Sequence, residues 1–146
     1  MNITIKDYLE RHRTADAEIN SKLEQLAELR SLATKITPST NYEGRGGGTA
    51  SDKVGRTVAK IVDLEQEINE AIDRLVDIKA EIEDLINLLS DSVMRTVLER
   101  RYILHETWEV IAEKMGYSRR HITRLNTEAL AELERLKKAA KSSFAA

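Results

Sequence analysis

Cysteine is absent from all 146 residues, which excludes disulfides, thiolate zinc sites and thiol catalysis, and suits a reducing compartment. Aromatic residues make up only 4% of the chain, so the core is expected to be built from Leu, Ile and Val. No apolar run approaches the roughly 18 to 20 residues needed to cross a bilayer. The start, "MNITIKDYLERHR", is charged where a signal peptide would be hydrophobic. Neither secretion nor membrane insertion is expected, and a cytoplasmic location is the simplest reading. What is present is 33% charge of both signs interspersed with 41% apolar residues, a composition closer to helical bundles and coiled coils than to enzyme cores. The length suits one ordinary domain, or a small module carried on an extended helical part.

Charge is uneven along the chain. The net charge is -2, yet residues 1–90 hold 12 Lys and Arg against 17 Asp and Glu, whereas residues 91–146 hold 11 against 8. Between Gly116 and Thr127 there are three arginines and no acid. A polyanion would therefore meet the C-terminal part.

From Ile3 to Ile36 neither Pro nor Gly occurs, and apolar residues recur every three to four positions, at Ile5, Tyr8 or Leu9, Ala15, Ile19, Leu23, Leu26, Leu29, Ala33 and Ile36. This spacing predicts a long amphipathic helix. Thr37-Pro38 should stop it, because proline lacks the backbone donor and disfavours helix in the residue before it. A flexible Gly-rich loop is expected at about 37–53. Its "GRGGG" follows no strand and lacks the Gly-Lys-Ser/Thr ending of a phosphate loop. A second helix is expected from near Asp52 or Val54 to about Leu89, with a seam at Val58, Ile61, Leu64, Ile68, Ile72, Leu75, Ile78, Ile82, Leu85 and Leu89. The steps are threes and fours, with a second four in succession from Ile68 to Ile72. Two helices of similar length joined by a loop predict an antiparallel hairpin over residues 1–90. Val54, Val62, Val76 and Ile86 widen its apolar stripe beyond what one partner helix covers. The extra surface implies either a second copy of the chain, making a homo-oligomer through helices 1 and 2, or a C-terminal module folded back on it.

Residues 91–146 read as shorter helices. Asp91 or Ser90 caps the first, which carries Val93, Met94, Val97, Leu98 and Tyr102. "HETWEVIAEKM" forms the next and ends at Gly116, a left-handed cap. Ser118 caps the last, which runs from Arg119 toward Lys138, beyond which "KKAAKSSFAA" is expected to fray. Within this module Trp108 to Leu125 has the spacing of a DNA-binding helix-turn-helix. Ala112 sits at the close crossing, Gly116 four residues on permits the turn, and Ile122 six further plugs the second helix into the core. Ile111, Met115, Tyr117 and Leu125 are expected to point inward. Ser118, Arg119, Arg120, His121, Thr123 and Arg124 are then left facing outward, toward a major groove and its phosphates.

At these residues a resemblance becomes visible. "VMRTVLERRYILHETWEVIAEKMGYSRRHITRLNTEALAEL" resembles region four of bacterial sigma factors, the four-helix part that reads the upstream promoter element. The whole chain, including "LRSLATKIT" and "VAKIVDLEQEIN", is similar to a family of uncharacterised phage and prophage proteins. Phage late-transcription activators share the C-terminal module. The resemblance implies an all-α fold, double-stranded DNA as partner, transcription regulation inside a bacterial host cell, and contact with host RNA polymerase. It places Arg119, Arg120, Thr123 and Arg124 at positions that touch bases or phosphates. Sigma factors usually carry Glu where this chain has Arg120, so a different element would be read. The sigma regions that melt promoters are missing, so a complete sigma factor is not implied.

Plainer readings stand beside these. Charged helix faces are usually only solvated, and the arginines gain meaning from the Ala112, Gly116 and Ile122 frame. Trp108 and Tyr102 read as core or cap residues, and His12 as a satisfied histidine on the apolar face. His105-Glu106 lacks the second histidine of a metalloprotease motif. Glu81, Glu83 and Asp84 read as wet surface. With no acid pair, triad or metal set, neither enzymatic activity nor a cofactor is expected. A rival role is a small-terminase-like DNA-packaging recognition subunit, although such proteins usually place the DNA-binding module first.

Overall fold

The computed structural model describes residues 3–36 and 47–145. They form α1 (Ile5–Ile36), α2 (Gly47–Ile86), α3 (Ser92–Leu98) running on into a π-helical turn (Glu99–Ile103), α4 (Trp108–Met115) and α5 (Arg119–Ala145). The class is all-α, with a long N-terminal helix pair and no strand among the described residues. None of these helices is long and apolar enough to cross a membrane. α2 begins at Gly47, so residues 47–53, expected in the loop, are helical. Extending a formed helix adds one hydrogen bond per residue fixed, so a strong helix can draw weak formers into its first turns. The expected stop at Thr37-Pro38 and the rest of the loop, to position 46, lie outside the described residues. At the other end α5 continues to Ala145, through the tail expected to fray, in keeping with the high helix propensity of its Ala and Lys.

The chain divides into two compact units, Ala15–Arg74 and Met1–Thr14 with Leu75–Ala146. In the first, the hairpin unit, α1 and α2 run antiparallel. Lys22 pairs with Glu67 at 3.2 Å and Arg30 with Glu65 at 3.6 Å. Leu26, Leu64 and Ile68 form its core, flanked by Leu29 and Ile61, with Ile19 and Ala71 also buried.

This seam differs from the expected one at three places. Ala71 is buried, while Ile72 is 41% exposed, Val58 48% and Leu23 44%. The irregular step of four vanishes when Ala71 replaces Ile72, because Ile61, Leu64, Ile68 and Ala71 keep the three-four alternation that holds one face of a helix toward its partner. On α1, successive steps of three rotate the inward face by about 60° each, leaving Leu23 behind it and the stem of Lys22 closer to it.

The second unit, here the C-terminal unit, has two cores. One combines Ile5 and Leu9 of α1 with Ile82, Ile86 and Leu89, with Leu98 and Tyr102, and with Ala129 and Leu133 of α5. The division therefore falls within the two long helices and not at residues 90/91. The ends of these helices complete a core with the C-terminal helices, which buries Ile86 fully, while Val62 and Val76 stay 57% and 60% exposed. The other core joins Val97, Ile111, Ala112, Ile122 and Leu125. α5 serves both, its first turns facing one and its middle the other.

Candidate functional site

Local capping sets where the C-terminal helices start. Asp91 Oδ1 accepts from the backbone N–H of Val93 at 2.8 Å and of Met94 at 3.1 Å, which selects Asp91 over Ser90 as the cap of α3. Beyond α3 the backbone widens into the π-helical turn, where the Leu104 N–H reaches the Glu99 carbonyl. This turn buries Tyr102, whose hydroxyl donates to Asn126 Oδ1 at 3.1 Å. Burial raises the phenol pKa.

His105 then adopts φ 58°, a conformation non-glycine residues rarely take. Its Nε2 lies 2.8 Å from Nδ1 of His12, so one ring donates and the other accepts. His12 is buried, as a seam histidine should be. The Glu106 carboxylate is held by Arg100 and Lys114. The hydrogen bond from Lys114, reinforced by Arg100, keeps this carboxyl below the usual carboxylate range, outweighing its partial desolvation. Among the described residues no group of three or more His, Cys, Asp or Glu could hold a metal ion.

α4 opens at Thr107, whose hydroxyl oxygen accepts from the Val110 N–H at 3.3 Å, and closes at Gly116 with φ 73°. In that left-handed conformation the Tyr117 N–H turns back to the Ala112 carbonyl at 3.0 Å. Ser118 then caps α5, its hydroxyl accepting from the His121 N–H at 3.1 Å. Ile111 and Ile122 are fully enclosed and Ala112 and Leu125 nearly so, with Val93, Met94, Trp108 and Met115 packed around them. Trp108 carries the Arg101 guanidinium 4.2 Å above its ring. Tyr117 departs from expectation. It is 39% exposed rather than inward. The chain reverses at Gly116, and the Tyr117 ring lies edge-on to His121 of α5, centroids 4.9 Å apart.

This frame turns one face of α5 outward. Ser118, Arg119, Arg120 and Arg124 are exposed, and His121 and Thr123 half-buried. Thr123 hydrogen-bonds back to the Arg120 carbonyl at 3.0 Å. Arg124 donates to His121 Nδ1 at 2.7 Å, which leaves Nε2 to carry the ring proton. Arg119 meets Glu109 of α4 at 3.2 Å, both side chains 64% exposed. All six residues singled out in the sequence thus lie in one short stretch, from the turn through the first two turns of α5. Sequence reasoning missed two neighbours, Tyr117 and Glu109. The position of Tyr117, directly after a left-handed glycine, was the signal that its ring follows the reversed chain. Among the described residues Arg120 has no side-chain ion pair, and an arginine there offers two parallel donors to a phosphate or to the paired acceptors of guanine.

The chain belongs to the family described as protein of unknown function (DUF722), whose model matches residues 3–135. No curated protein and no solved structure matches it.

Proposed function

We propose that the protein binds duplex DNA sequence-specifically through a helix-turn-helix formed by α4, the turn at residues 116–118 and α5, and that it acts as a transcription regulator. The observation that carries this reading is the outward face of α5, three exposed arginines with Ser118, His121 and Thr123, fixed to a packed frame by Ile122. A recognition helix needs this combination: apolar anchors that set its angle, and donors near its N-terminus that can reach base edges and phosphates. The Glu109–Arg119 pair is compatible with the role, since an exposed ion pair contributes at most about 1 kcal/mol and can be exchanged for phosphate. The sigma-region-four resemblance supports a phage or prophage regulator working beside host RNA polymerase.

Selection of bound sequences from random duplex DNA with the purified protein tests the reading, followed by affinity measured against salt. Arg119→Ala or Arg124→Ala should lower the salt slope by about 1 if the lost contact is to phosphate, and cost about 1 to 3 kcal/mol at the preferred sequence if it is to a base. Unchanged binding in both variants would sink the assignment.

A further inference from the structure

α2 carries a second apolar stripe that is left exposed among the described residues. Val58, Val62, Ile72 and Val76 are 48%, 57%, 41% and 60% exposed. With Glu65 and Asn69 between them they fall at alternating steps of four and three, the repeat by which one helix packs along another. Val62, Asn69 and Val76 take one heptad position of this stripe, and Val58, Glu65 and Ile72 the other.

The stripe is also a mirror of itself. About residue 67, Val58 and Val76 are equally distant, as are Val62 and Ile72, and Glu65 and Asn69. An antiparallel copy related by a two-fold axis at that point would pair valine with valine, valine with isoleucine, and the Glu65 carboxylate with the Asn69 amide, twice over. Such an isologous contact needs a self-complementary surface, which this one is. A parallel copy would set Glu65 against Glu65, and like charges facing each other are unfavourable. In its own chain Glu65 has Arg30 at 3.6 Å with both groups about half exposed, so the carboxylate can still accept from an amide.

Gly55 adds a separate observation. It lies within α2, where glycine weakens a helix relative to alanine, yet a Cβ there would meet nothing within 4 Å. No described residue comes close enough to require it. On the same stripe its mirror position is Lys79, whose long stem would need the space a missing side chain leaves. We propose that the second stripe of α2 is the seat of a second copy of this chain, packed antiparallel about residue 67. The inference is independent of DNA binding.

Mass in solution, measured on the full chain without DNA, tests it. The expected value at micromolar concentration is twice the 16.6 kDa of one chain. Val62→Glu and Ile72→Glu should each return the single-chain mass with helical circular dichroism retained, because both positions are exposed. Leu104→Glu, equally exposed but off the stripe, should stay double. Since the natural chain has no cysteine, V62C and I72C can report direction. The two proteins mixed and oxidised should give a covalent dimer, and neither should do so alone. A single-chain mass at high micromolar concentration, an unchanged mass in Val62→Glu, or cross-linking of V62C to itself would each overturn the proposal.

Discussion

Ile122 and Ile68 are both buried isoleucines, but they are buried differently. Ile122 is fully enclosed, in a core to which α3, α4 and α5 all contribute. Ile68 keeps 4% exposure in a seam made by two helices only. Two helices cover one stripe on each other and leave the rest of each cylinder to solvent, so the hairpin unit shows large apolar side chains such as Leu23, Val58 and Val62. A third element closes a core. The comparison teaches that α3, α4 and α5 specify their own packing, whereas the hairpin unit leaves large apolar side chains exposed among the described residues.

The largest test of this contrast is cavity formation. Ile122→Ala should cost about 3 to 4 kcal/mol, in the middle of the range for buried isoleucine, since enclosure by α3, α4 and α5 leaves little room to close over the deletion. Ile68→Ala should cost about 2 kcal/mol, because a solvent-flanked seam can close partly over the deletion. Chemical denaturation of both variants measures the difference, and an equal or larger cost at Ile68 would break the comparison. If the hairpin unit is completed by a second copy, the unfolding midpoints of both the wild type and Ile68→Ala should rise with protein concentration.

Next in size is the turn. Gly116 sits at φ 73° with nothing within 4 Å of an added Cβ, so Gly116→Ala isolates the backbone term, expected at about 1 to 2 kcal/mol. A thermal melt that shows no loss would mean that the turn tolerates a side chain there and that the frame of α5 depends less on left-handed geometry. Gly55→Ala provides the matching test in the hairpin unit. There the backbone is ordinary helix, and for a single chain alanine should stabilise by about 1 kcal/mol.

How much of this was legible beforehand follows the same division. Short-range signals read well: Asp91, Gly116 and Ser118 mark helix ends because capping is a contact between residues two to four apart, visible in sequence. The all-α class and the two long helices follow from apolar period. The six residues of the α5 face could be picked out because Ala112, Gly116 and Ile122 fix its orientation. What sequence could not show is the choice between Ile72 and Ala71 for the seam. Counting hydrophobicity favours isoleucine, but the partner helix selects phase, and alanine has the right phase. With Val58 and Ile72 assigned to the seam, the second stripe could not be recognised as a repeat. The His12–His105 contact spans 93 residues, a pairing no periodicity announces.

The smallest expected effect concerns charge and carries a pH signature. Glu106 is shared by Arg100 and Lys114 and is only 12% exposed at its side chain, whereas the hairpin pairs Lys22–Glu67 and Arg30–Glu65 have carboxylates about half exposed. Exposed pairs contribute little, so Glu67→Gln should leave the melting temperature unchanged at any pH. Glu106 is different because Lys114, and after it Arg100, lower its pKa in the folded chain. A carboxyl whose folded pKa is depressed stabilises the fold above its ordinary value, about 4.3, and loses that contribution as pH falls through the lowered one. The gap in melting temperature between the wild type and Glu106→Gln should therefore be full at neutral pH and close on acidification below about pH 4. A gap that persists unchanged in acid would mean that Glu106 acts through its shape in the loop before α4, and the electrostatic contrast between the two units would fall.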